Sequence, residues 1–315
     1  MKRFIIKTTL LIFISASFIM IMNIVMLYRK DGYCLHSHEK NAILAYQRLE
    51  ALKDTNKIVI ITGSNGQFGI NSRMIHEAFN MPVVNTSFHG GMGIRMQFEI
   101  YKDLLRKGDI VIFCPEYGEG FVKGRLYGAA TLLRVLSTYM PSAYSKITFP
   151  QWLHLYKYTG IHFWEYVKHL RIEKIEGPYS SDAVNEYGDI ECERRQLESI
   201  KNDRFDGPAT IKGYIDDVVL EYLKYIHTFA KTKGIRLVFL PPTFIEGGYK
   251  MNSKQIDSIA YTLRENGIAW QAEPSRYAFP NSLYYDTYYH MTQEGANKRT
   301  EVLIEDLCRI LHNEK

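Results

Sequence analysis

From Lys57 onward, short runs of Val, Ile and Phe alternate with stretches whose apolar residues recur every three or four positions. The runs KIVIIT, PVVNTS, DIVIFC, GIRLVFLPP and GIAWQAEP are too short for helices. They are also too uniformly apolar for strands with one wet face, so they predict strands buried on both sides. Between them MIHEAF, MQFEIYKDLLRK, DDVVLEYLKYIHTFAKTK, SKQIDSIAYTLREN and TQEGANKRTEVLIEDLCRIL carry the helical repeat. Alternation of this kind predicts an α/β domain over 57–315 with a parallel, doubly wound sheet. Right-handed crossovers then bring the functional loops to the carboxyl ends of the strands.

The alternation fails in two places. Between Gly118 and about Lys212 it gives way to an aromatic stretch, FPQWLHLYKYTGIHFWEYVKHL, and then a polar, acidic one from Ser180 to Asp206. An insertion of that size at a strand end predicts a helical lid. Its Trp152, Tyr156, Phe163, Trp164 and Tyr166 are expected to pack the lid onto the core, with stacking on sugar rings or a membrane interface as the other uses of such residues. At the N-terminus, Thr8 to Tyr28 runs without a charge, which at about 1.5 Å per residue is enough for a hydrocarbon core of about 30 Å. The run ends in Val-Met-Leu-Tyr-Arg-Lys with no small-residue cleavage site, so residues 1–30 are expected to form an uncleaved, single-pass transmembrane signal anchor. Residues 31–56 are polar and are expected to form a stalk, with His36 and His38 solvated in it.

Charge changes the picture only by its location. The formal net charge is +5, but Lys2, Arg3, Lys7, Arg29 and Lys30 carry all of the excess and flank the apolar run. No nucleic-acid footprint follows, and the positive-inside rule favours a cytoplasmic N-terminus with the domain outside. The four cysteines, Cys34, Cys114, Cys192 and Cys308, form no CxxC pair, which argues against a zinc or redox motif and leaves a disulfide unassigned. Cys114 ends an apolar run and is expected in the core.

Candidate chemistry begins with Thr62-Gly63-Ser64-Asn65-Gly66-Gln67-Phe68-Gly69, a glycine-rich turn between the first strand and a helix. Alone it looks like the TGxxGxxG turn of extended short-chain dehydrogenases and sugar epimerases, where glycines let the backbone approach a pyrophosphate. The second strand, however, ends in Asn85-Thr86-Ser87 rather than in an acid for the ribose, and no Tyr is followed four residues later by Lys. The other reading makes Ser64 a nucleophile raised at the strand end. Such a serine needs a base and donors for an oxyanion. His290, in Tyr284-Tyr285-Asp286-Thr287-Tyr288-Tyr289-His290 ahead of the last helix, is the candidate base, and Asp286 the candidate partner of its Nδ1. His76 and His89 are expected to be structural.

With these residues the chain resembles the SGNH (GDSL-like) hydrolase and acyltransferase superfamily, over 57–117 and 234–313. Gly63-Ser64-Asn65 is similar to its first block, Asn85 to Gly90 to its second, Cys114-Pro115-Glu116-Tyr117 stands at its third, and Asp286 and His290 at its last. The resemblance implies a flavodoxin-like fold, no cofactor or metal, and an oxyanion hole that includes the Gly90 amide. Two departures stand out. Three residues separate Asp286 from His290 where the family has two, and Glu116 or Tyr117 stands where the family offers an Asn amide. Glu116 would have to be protonated or turned away, with Gly91 or the Tyr117 hydroxyl as substitutes.

By the same resemblance the expected function is serine-dependent acyl transfer at the extracytoplasmic membrane face. The anticipated reaction is O-acetylation of a cell-envelope polysaccharide beside a polytopic membrane-bound O-acyltransferase. A stand-alone esterase or lipase, and a non-catalytic scaffold, are the alternatives.

Overall fold

The computed structural model describes residues 1–26, 29–118, 120–197 and 210–312, without the side chains of 19, 20 and 22–26. Four parallel strands, β1 (Ile58–Thr62), β2 (Val83–Asn85), β3 (Ile110–Cys114) and β4 (Arg236–Phe239), form a sheet in the order β2-β1-β3-β4. The chain passes from β1 to β2 on one side and then crosses to β3 on the other, so the crevice at the carboxyl ends of β1 and β3 is a topological switch point. Register sets Thr62 opposite Cys114 there.

Alternate residues of each strand feed two separate cores, as a sheet covered on both faces requires. Val59, Ile61, Val111, Phe113 and Phe239 pack with α3 (Asn41–Ala51), α6 (Ile94–Glu99) and α11 (Asp217–Lys233). Ile58, Ile60, Ile110, Ile112 and Val238 pack with α5 (Ser72–Phe79) and α14 (Gln293–His312). The run GIAWQAEP forms no strand: Gln271 donates one main-chain bond to Phe239, and the short parallel pair β5 (Phe244–Ile245) and β6 (Ala278–Phe279) lies outside the main sheet. Cys114 is buried in the core, and all four cysteines are free thiols.

Three expectations are corrected or narrowed. The polar segment 31–56 is not a stalk: α2 (Gly32–His36) and α3 insert Cys34, Ala42, Ala45 and Leu49 into the core, and Asp31, His38, Glu39 and Asn41 are buried with them. The polar residues are tolerated because each has a partner, notably Glu39, which receives Nε and Nη2 of Arg134. The insertion is more than a lid: α8 (Ala130–Tyr139) is buried along nearly its whole length. Residues 198–206 of the acidic segment lie outside the described residues. Finally, the anchor expected over Thr8–Tyr28 is not supported: among the described residues no helix is long and apolar enough to cross a membrane. Part of that run, residues 27–28 and the side chains named above, lies outside the described residues. Helix α1 (Lys2–Met26) leaves Phe4, Leu11, Phe13 and Phe18 exposed.

The insertion also contains α7 (Lys123–Tyr127), α9 (Phe149–Tyr156) and α10 (Thr159–His169). Helix α10 buries His162 with neither ring nitrogen partnered among the described residues. Burial, with Arg134 and His169 adding to it and Asp31 opposing, holds its pKa down at about 4. The folded chain therefore binds fewer protons here than the unfolded chain between about pH 4 and 6.5, so this contribution to stability is lost as pH falls through that window. His162→Leu is expected to stabilise the protein by about 1–3 kcal/mol at neutral pH by removing the unsatisfied ring. It should also flatten the acid side of the stability curve. Thermal unfolding of both proteins at pH 5 and 7 is the measurement, and a variant that melts below wild type at both would refute the account.

Candidate active site

Strand β1 ends at Thr62 and the chain turns through Gly63 into a single helical turn, α4 (Ser64–Gln67). Ser64 starts that turn half-buried at the carboxyl edge of the sheet. Gly63 and Gly90 both let the Glu116 carboxylate come close: a Cβ at either position would make that side chain shift. That carboxylate, two residues past β3, sits between the two glycines. Its Oε1 accepts the Ser64 hydroxyl at 3.2 Å, the Asn65 amide at 3.0 Å and the Asn65 side chain at 3.4 Å. Its Oε2 accepts Nη2 of Arg125, on α7, at 3.0 Å.

Glu116 is therefore neither protonated nor turned away. Burial pushes its pKa up, but Arg125, the Asn65 amide and His290 together outweigh burial and hold it below the usual glutamate range. Arg125 neutralises the charge that would otherwise oppose an oxyanion. The proposed substitutes for the family's Asn are not at the site. The Tyr117 ring is wedged against Phe244 and Trp270 with its hydroxyl buried and without a partner among the described residues, and the Gly91 amide is committed to His89 Nδ1 at 2.9 Å. The amides of Ser64 and Gly90 donate to no other described residue. His76, at the far end of α5, bonds the Met81 carbonyl.

The base candidate is held from three directions. His290 Nδ1 lies 2.9 Å from Asp286 Oδ1, so the extra residue between them does not prevent the pairing. The loop absorbs it by folding back on itself. Tyr285 donates to the His290 carbonyl, Thr287 Oγ1 accepts the amides of Tyr289 and His290, and Thr292 donates to the Leu283 carbonyl. The imidazole stacks on Phe68, one helical turn beyond Ser64, with centroids 4.2 Å apart and planes at 12°. The Tyr179 hydroxyl donates to Asp286 Oδ2 and sits 3.0 Å from His290 Nδ1. Burial and then the Asp286 charge push the Tyr179 pKa well up, so it stays a donor. Arg299 on α14 donates to the carbonyl and side-chain oxygen of Asn65, tying the helix behind His290 to the turn that carries Ser64.

Ser64, Gly90, Glu116, Asp286 and His290 thus gather at one sheet edge, while Tyr117 does not join them. Ser64 and His290 are not hydrogen-bonded to each other, since the hydroxyl is on Glu116. Catalytic hydrogen bonds are often unmade before substrate arrives. Sequence reasoning missed three participants. Tyr179 lies in the insertion with no motif around it. Arg125 lies in a helix that carries no motif, and only the fold brings it to Glu116. His38, read as solvated, is buried with Nδ1 2.7 Å from Gln67 Oε1 and packs edge-on against Phe68 and Tyr179. Burial drops its pKa to about 4. Among the described residues no group of three His, Cys, Asp or Glu side chains could hold a metal ion. No protein-family model, no curated protein and no solved structure matches the chain.

Proposed function

We propose that the chain is a serine-dependent acyl-transfer enzyme of SGNH type on a flavodoxin-like, doubly wound fold. The observation that carries this is the Asp286–His290 pair, at 2.9 Å, on the same sheet edge as Ser64. His290 takes the Ser64 proton as Oγ bonds to the acyl carbon, the leaving group departs with that proton, and an acceptor hydroxyl reverses the sequence. Asp286 fixes the tautomer in which Nε2 is the free base. The amides of Ser64 and Gly90 receive the oxyanion. Glu116, neutralised by Arg125, yields its place beside Ser64 as the acyl group enters.

The acceptor we favour is a hydroxyl of a cell-envelope polysaccharide, acetylated at the extracytoplasmic face beside a polytopic membrane-bound O-acyltransferase. The exposed apolar side chains of α1 support the membrane location, and sedimentation of the full chain with membranes checks it. Water as acceptor would make the same site an esterase. A non-catalytic scaffold draws its support from the Ser64–Glu116 bond, which occupies the nucleophile. An active-site-directed fluorophosphonate separates enzyme from scaffold: wild type is expected to be labelled at Ser64 and Ser64→Ala left unlabelled. An unlabelled wild type would leave the scaffold reading standing.

A further inference from the structure

Helices α9 and α10 carry apolar side chains that no described residue covers. Phe149, Leu153, Tyr156, Ile161, Trp164 and Leu170 are each at least half exposed. The first three recur at helical spacing along α9, and on its opposite side Leu155 is fully buried. The helix thus buries Gln151 and Leu155 against the fold and turns a second, apolar side outward. An exposed apolar patch of this extent on a folded domain marks a surface that binds.

Two further observations indicate what it binds. Lys157, Lys168 and Arg171 are exposed on and just beyond these helices, while Glu165 is engaged by Arg134, Glu173 stands exposed beyond Arg171 and Lys174 is paired with Glu176. Aromatic and aliphatic side chains rimmed by basic ones are the chemistry of a helix lying at an anionic lipid surface. The start of α2 is also fastened beside this patch. Both carboxylate oxygens of Asp31 lie 2.9 Å from His169 Nδ1 on the last turn of α10, and Gly32 abuts the His169 carbonyl so closely that a Cβ would clash. The exposed basic pair Arg29 and Lys30, immediately ahead of Asp31, therefore lies near the His169 end of α10 and adds to the positive charge beside the apolar face.

We propose that the outer face of α9–α10 rests on a phospholipid surface. Trp164, Tyr156 and Phe149 enter the boundary between headgroups and acyl chains, and the basic rim meets anionic headgroups. The insertion would then hold the crevice at a fixed height above the bilayer. The inference rests on the membrane location proposed above and not on the chemistry of Ser64.

The test uses the full chain bound to vesicles of phosphatidylglycerol and phosphatidylethanolamine, with plain or brominated acyl chains. Trp164 is one of three tryptophans, so its emission is the difference between wild type and Trp164→Phe. Brominated lipid is expected to remove roughly half or more of that component, and Leu153→Asp is expected to restore it. Equal Trp164 emission in plain and brominated vesicles would overturn the proposal. So would a Trp164 blue shift that follows protein density and ignores bromine, which would assign the face to a second copy of the chain. Hydrolysis of p-nitrophenyl acetate by the same samples reports on Ser64 independently, so failure of one reading is distinguishable from failure of the other.

Discussion

Ser64→Ala and His290→Ala are each expected to lower kcat on p-nitrophenyl acetate by roughly 10⁴-fold or more, and the double variant to be little worse than either. The non-additivity follows from the geometry: without Ser64 there is nothing for the imidazole to deprotonate, and without the imidazole the hydroxyl stays on Glu116. Asp286→Ala should be nearly as severe, because the carboxylate reaches Nδ1 directly at 2.9 Å and its loss frees the wrong tautomer. Glu116→Gln should act in the other direction. It keeps an oxygen for the Asn65 amide and removes a negative charge from beside the developing oxyanion, so turnover is expected to rise, by roughly ten-fold. Wild-type activity in Ser64→Ala would end the serine mechanism whatever the other variants did.

Lys57→Met is expected to cost about 3–5 kcal/mol of stability, the penalty for leaving one member of a buried ion pair alone. Lys57 Nζ and Asp109 Oδ2 are 2.9 Å apart with both side chains fully shielded from solvent, and Asp109 also accepts the amides of Lys57 and Arg106. The pair clamps the residues leading into β1 and β3 at the sheet edge opposite Ser64. The loss should therefore appear in the denaturant midpoint, with kcat of the folded fraction unchanged. Adding Asp109→Asn to Lys57→Met should recover part of the loss, since no buried charge then remains and an oxygen is kept for one of the two amides. A single variant that unfolds at the wild-type urea concentration would contradict this account.

What the sequence made legible follows from how local each signal is. The runs at β1, β2, β3 and β4 are continuous apolar segments and form the sheet, while GIAWQAEP, interrupted by Gln271 and Glu273, does not. Ser64 and Gly90 follow strands directly, and His290 precedes α14 directly, so their placement came with the topology. What was not legible depends on packing between distant segments. Residues 31–56 look polar because Asp31, His38, Glu39 and Asn41 are polar. Their burial is intelligible only once Arg134, His169, Gln67 and Asn85 are seen to receive them. Tyr179 joins Asp286 across 107 positions, with no periodicity to announce it. The ionised state of Glu116 turned on Arg125, nine residues away in a helix that carries no motif. Conversely, hydropathy alone expected a spanning helix over Thr8–Tyr28, which the described residues do not support.

The bonds from Arg299 to Asn65 bear on how the protein comes into being. They join positions 234 residues apart, and His290 reaches the nucleophile turn from the same late segment. During synthesis, β1 and the Ser64 turn leave the ribosome long before either partner exists. The nascent chain therefore carries an exposed hydroxyl on an unfinished sheet edge, with no base to deprotonate it. On the proposed mechanism, activity would begin only when the last helix docks. Parallel sheets with such distant closing contacts fold slowly, and intermediates that expose strand edges aggregate. A ribosome stalled ahead of α14 would thus hold a chain that is chemically silent and in need of a chaperone.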